Sequence, residues 1–250
     1  MGHTPVYVAK VSPTGQWLWA TTGTLPAPAP TRPGSRGLDV ALDPRGGVQV
    51  LLAYTGGLTL GALTLPTPPE PLMPALAVAR ISDAGQWLSA AAVTSTAYPG
   101  SFPFGQGQAP LTGAALAVDA QGTAYVAGSG GGDLLFPALP TMPSPNAMDA
   151  IPFVASLSPA GVWQWATRVG LPTENVSPGR LAVLPTSGEV AVAAHFKAAF
   201  GSGEAVPMPT LPVWARARSA RVVAGRASAS ARARACSAGP SISVSGVRSS

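Results

Sequence analysis

Val8-Ala9-Lys10-Val11-Ser12-Pro13-Thr14-Gly15-Gln16-Trp17-Leu18-Trp19-Ala20-Thr21 reads as two short β-prone runs broken by Ser-x-x-Gly. The pattern returns as Val78-Ala79-Arg80-Ile81-Ser82-Asp83-Ala84-Gly85-Gln86-Trp87. A third copy is Val154-Ala155-Ser156-Leu157-Ser158-Pro159-Ala160-Gly161-Val162-Trp163-Gln164-Trp165-Ala166-Thr167, and the glycines step by 70 and then 76 positions. Gly closing a Ser/Pro/Asp cluster supplies the positive φ that a tight reversal needs, so each copy is expected to be a hairpin. Trp17 and Trp19 stand two apart, as do Trp163 and Trp165, and on a regular strand such a pair shares one face. The middle copy keeps Trp87 but has Ser89 in the second place. Tryptophans recurring once per repeat suit packing between stacked sheets; a strip of exposed aromatics that binds sugar is the rival reading.

A second hairpin follows each of these. Leu38–Leu42 and Val48–Leu52 flank Asp43-Pro44-Arg45-Gly46, a type I turn signature in which Asp accepts backbone hydrogen bonds and Pro fixes φ. Leu116–Val118 and Ala124–Gly128 flank Asp119-Ala120-Gln121-Gly122, and Leu181–Leu184 and Val190–Ala193 flank Pro185-Thr186-Ser187-Gly188. These turn glycines step by 76 and 66 positions, a second anchor with a similar period. Closing segments follow at Leu58–Pro66, Asp133–Pro140 and Phe200–Pro209, and a Pro-rich connector runs from Leu25 to Gly34. The repeats are 6–77, 78–152 and 153–212, each with about four short strands. Four strands per repeat is the β-propeller pattern, so residues 1–212 are expected to be all-β: about three blades, incomplete at both ends, with edge strands left open.

These units resemble the repeats of secreted bacterial SBBP-type β-propeller proteins, found among Bacteroidetes surface proteins and type IX secretion cargo. Val8–Ala20, Val154–Ala166 and Ala117–Gly128 carry the resemblance, which covers residues 6–212. It implies an extracellular or cell-surface setting and a binding or scaffold role. It brings no catalytic residues, because the shared positions are turn glycines and packing aromatics.

Composition agrees with an all-β chain. Of 250 residues 57 are Gly or Pro, and charged residues are only 10%, against roughly 25% in an average soluble domain. The single cysteine, Cys236, excludes an intrachain disulfide framework. No apolar run approaches the roughly 20 residues of a spanning helix. The start, Met1-Gly2-His3-Thr4-Pro5, has no basic segment followed by an apolar core, so no signal peptide is visible; the expectation is a cytoplasmic protein or an internal piece of a longer one.

The repeat stops near Pro212. Residues 213–250 hold seven arginines, no lysine and no acid, and 26 of these 38 residues are Ala, Ser or Arg. The rest of the chain carries 8 basic and 10 acidic residues, so the tail alone makes the chain basic. Such a segment is expected to be disordered. An Arg-rich arm could bind nucleic acid by charge. Text of this kind starting mid-repeat is also what a GC-rich gene yields in the wrong frame, which is the preferred reading.

Catalytic chemistry is sparse. His3 and His195 have no Cys or acidic neighbours at ligand spacing, and no Gly-x-Ser-x-Gly elbow is present. Gly128-Ser129-Gly130-Gly131-Gly132 reads as a flexible loop without the Lys-Ser/Thr of a phosphate cradle. Asp43 and Asp119 occupy equivalent places and read as turn residues, with Pro185 at the third. Asp39, Asp133, Asp149 and Glu174 are free to line a loop face. Asn175-Val176-Ser177 matches a glycosylation sequon by chance. The expectation is a non-enzymatic binding or structural module for a protein or carbohydrate ligand, with no catalytic, cofactor or metal residues. The alternative is a piece of an extracellular propeller hydrolase with paired loop carboxylates.

Overall fold

The computed structural model describes residues 5–25, 34–69, 73–96, 111–144, 150–169, 176–184, 188–196 and 220–224. Its regular elements there are all strands. They are β1 (Tyr7–Val11), β2 (Trp17–Thr24), β3 (Gly34–Leu42), β4 (Val48–Thr55), β5 (Leu58–Leu60), β6 (Leu63–Leu65), β7 (Ala75–Ile81) and β8 (Trp87–Ser95). There follow β9 (Thr112–Val118), β10 (Ala124–Gly130), β11 (Leu134–Leu135), β12 (Ile151–Leu157), β13 (Trp163–Arg168), β14 (Val176–Val183), β15 (Val190–Phe196) and β16 (Ala220–Ala224).

Every expected hairpin forms, and the three copies of the first agree in detail. Gly15, Gly85 and Gly161 have φ of 82°, 79° and 79°. The serine that opens each turn accepts through its hydroxyl the amide of the residue four on, at 3.0, 3.1 and 3.1 Å for Ser12, Ser82 and Ser158. Each copy then carries a bulge at one place, between Lys10 and Val11, Arg80 and Ile81, and Ser156 and Leu157.

The four sheets do not coincide with the sequence repeats. They run β1-β2-β5-β6, then β3-β4-β7-β8-β11, then β9-β10-β12-β13, then β14-β15-β16. The second hairpin of one repeat therefore pairs with the first hairpin of the next. Val48 lies opposite Ile81 along β4 and β7, and Ala124 opposite Leu157 along β10 and β12. Sheets are offset from the repeats by half a period, and the short β5 and β11 add to the outer edges of β2 and β8.

The core lies between sheets. Leu52, Tyr54 and Ala77 of the second sheet meet Leu58 and Leu60 of the first. On its other face Leu51, Val78 and Val93 meet Leu116, Val126 and Phe153 of the third. Tyr125 and Val154 of the third sheet meet Val190 and Val192 of the fourth. Strands β4, β7 and β12 are thus covered on both faces and read as nearly continuous apolar runs. Strands β3, β9 and β14, each at one end of its sheet, contact one another in succession.

Several expectations are corrected. The bulge slips the alternation of side chains, so Trp163 and Trp165 point to opposite faces. Trp163 packs on the preceding sheet and Trp165 toward the following one. Gly128–Gly130 are not a flexible loop but the end of β10, paired with Phe153, Pro152 and Ile151. Glycine is required at 128 because a Cβ there would stand 2.6 Å from the Thr112 carbonyl oxygen. In the third copy of the second hairpin Leu184, not Pro185, takes the aspartate's place. Its amide donates to Glu189 O, five residues on, where Asp43 and Asp119 donate four residues on, so this turn is one residue longer. Finally, Ala220–Ala224, inside the segment expected to be disordered, is strand β16, whose Arg221-Val222-Val223 core includes two β-branched residues. It pairs parallel with β15, Val190 opposite Ala220, whereas β7 and β12 fill the corresponding slots antiparallel. The remainder of 213–250, with Cys236, lies outside the described residues, as do connector residues 26–33 and the third closing segment.

Candidate functional site

Between β1–β2 and β3–β4 runs a groove of about 810 Å³. Tyr7, Trp17 and Trp19 give it an aromatic wall, Val40 and Leu42 an apolar one, and Lys10, Asp39 and Asp83 its charges. The exposure is unusual because the same sequence positions are buried elsewhere. Val40 is 58% exposed, while its counterpart one repeat on, Leu116, is 6% exposed beneath Leu51 and Val78. Trp17 is 68% exposed; Trp163, its counterpart, is 3% exposed, packed edge-on to Phe136 and donating from Nε1 to Ala92 O at 3.1 Å. The groove is therefore a face that in the later sheets is covered by a neighbouring hairpin.

Its polar groups are held. Lys10 Nζ donates to Asp83 Oδ1 at 3.0 Å, and Trp19 Nε1 donates to Asp83 O at 2.7 Å. The hydrogen bond and charge of Lys10 hold the Asp83 carboxyl below its ordinary value. Asp39 accepts from Val40 N at 2.9 Å and from Leu116 N at 2.8 Å, which ties β3 to β9.

The aspartates singled out from sequence are turn residues, as expected. Asp119 accepts from the amides of Gln121 and Thr123, both at 2.9 Å, and from the Tyr125 hydroxyl at 3.1 Å. Asp43 does more. It accepts from Arg45 N at 2.9 Å, from the Arg45 guanidinium at 3.1 and 2.9 Å, from Arg80 Nε at 2.8 Å and from Gln49 Nε2 at 3.1 Å. Burial opposes its ionisation, but these donors outweigh it and hold the pKa at about 2. Gln49 also donates to Gly122 O at 3.0 Å, joining the turns of two successive sheets. Asp133 accepts from Ser144 N at 2.8 Å. Sequence reading missed Arg45, Gln49 and Arg80; Arg45, next to Pro44 in the turn, was the one visible hint.

No family model matches the chain, and no curated protein matches it. Among the described residues no group of three His, Cys, Asp or Glu is placed to hold a metal ion, and no helix is long and apolar enough to cross a membrane. His195 lies near the end of β15, opposite Ser177. His3, Asp149, Glu174, Asn175 and Pro185 lie outside the described residues. A second cavity, of about 330 Å³, is lined by Ser35, Arg36 and Tyr54. Burial pushes the Tyr54 hydroxyl up from its ordinary pKa, and it donates to Pro66 O at 2.9 Å.

Proposed function

We propose that this chain is a non-enzymatic binding or structural module of β-propeller repeats, from a secreted or surface protein, and that the groove beside β1 is its contact surface. The observation that carries the reading is the uncovered apolar wall, Val40 and Leu42, set against the buried Leu116 of the next repeat. An open apolar patch rimmed by polar groups marks a binding surface. The succession of β3, β9 and β14 at one end of their sheets supports the propeller arrangement, in which inner strands line a common axis. The engagement of Asp39, Asp43 and Asp119 in backbone and arginine contacts supports a non-catalytic role.

Anilinonaphthalene sulfonate, an apolar fluorescent dye, tests the groove. In dilute protein, where single chains prevail, the wild-type chain is expected to enhance its emission, and Val40→Asp to lose most of that enhancement with an unchanged circular dichroism spectrum. Equal enhancement by both proteins overturns the groove as the contact surface. Turnover of a glycoside that is abolished by Asp39→Asn overturns the non-enzymatic reading.

A further inference from the structure

Among the described residues β1 has one hydrogen-bonded neighbour, β2, although its counterparts β7 and β12 have two. The missing neighbour is specified by the chain itself. Strand β7 pairs with β4 and β12 with β10, each the second strand of a second-type hairpin. The chain holds one more such hairpin, β14–β15, and its far edge carries β16 in the parallel sense. Its outward face is also uncovered. Ala193 is exposed, while Leu51 and Ala127, its counterparts, are buried by the sheet that follows.

We infer that the groove beside β1 receives the β14–β15 hairpin of a second copy of this chain. The inference rests on the groove being a contact surface and names its occupant. The register follows from the two complete junctions. Val48 opposite Ile81 and Ala124 opposite Leu157 carry over to Val190 of one copy opposite Val11 of the other, with Ala193 opposite Val8. Strand β1 of the second copy replaces β16 and restores the antiparallel pairing found in the other sheets. The incoming hairpin covers Val40 and Leu42, the following strands cover Ala193, and Trp17 meets β13 as Trp163 meets β8. Each copy offers both surfaces, so two copies joined reciprocally leave neither end open.

Crosslinking tests both occupant and register. In a Cys236→Ser background, Val8→Cys and Ala193→Cys proteins are unfolded together, refolded as a mixture and oxidised. The expected product is a covalent dimer of twice 25.0 kDa, formed in the mixture and by neither variant alone. Val8→Cys mixed with Ala191→Cys, two residues out of register, is expected to crosslink at least tenfold less, because diagonal neighbours stand about 7–8 Å apart. Light scattering on the unmodified chain is expected to give a mass that doubles as concentration rises, which keeps the test independent of the variants' folding. A mass of one chain at every concentration overturns the inference. So does equal crosslinking in and out of register, or a Val8→Cys/Ala193→Cys double variant that closes within one chain. Dye binding in the groove survives any of these results, so the failure of the occupant is separable from the failure of the site.

Discussion

Hairpins β1–β2 and β12–β13 are written in nearly the same residues and differ in what lies beside them. Both carry Val-Ala in the first strand, both turn through Ser-Pro-x-Gly and both carry two tryptophans. Strand β12 is buried along its whole length, while β1 is exposed at both ends and half-buried between. Local sequence sets turn, bulge and strand; burial is set by the neighbouring sheets. A repeat of this kind cannot cover its own apolar faces, and each sheet becomes a core element only between two others.

That contrast can be broken or sharpened by substitution. Trp163→Ala removes a fully buried ring between two sheets and is expected to cost about 3–5 kcal/mol. Trp17→Ala, at the same repeat position, should stay within about 0.5 kcal/mol in dilute protein. Urea denaturation of the two variants checks the difference, and equal costs would mean that position in the repeat, not neighbours, decides burial.

Asp43 gives the next largest effect. Its carboxyl ionises at about 2 in the folded chain against an ordinary 3.8, so its contribution is full above about pH 3.8 and is lost as pH falls toward 2. That shift corresponds to about 2 kcal/mol, and Asp43→Asn should lose about that much at neutral pH while flattening the acid limb of the stability profile. An unchanged acid limb would show that another carboxylate governs it.

The turn glycines rank below. Ala at 15 or 85 meets the same left-handed φ, which costs about 1 kcal/mol. At 85 the new Cβ would also stand 2.9 Å from the Trp19 ring, whereas at 15 it meets open space, so Gly85→Ala should lower the melting temperature more than Gly15→Ala. The smallest effect belongs to Lys10→Met. Its partner Asp83 is exposed, and the melting temperature should not move measurably at physiological salt.

Much of this architecture was legible in the residues. Ser-x-x-Gly and Asp-x-x-Gly mark five reversals, and Pro-x-x-Gly the sixth, because their side chains and φ requirements are local, and all six turn glycines adopt positive φ. Three features were not legible. The bulge that separates Trp163 from Trp165 is a slip in pairing, with no residue type of its own. The half-period offset between repeats and sheets depends on which hairpin docks beside which, a long-range choice that spacing does not encode. The groove was missed because Val40 and Leu42 read as ordinary strand residues; only comparison with their covered counterparts marks them.

Amide hydrogen exchange in dilute protein tests the central claim most directly, because it reads the neighbours of three equivalent strands at once. Strands β7 and β12, paired on both edges, should exchange slowly along their length. Strand β1 should exchange slowly only at amides directed toward β2 and rapidly at those directed away. Uniform slow exchange across Tyr7–Val11 would contradict the account, since it would place a partner on an edge described here as open.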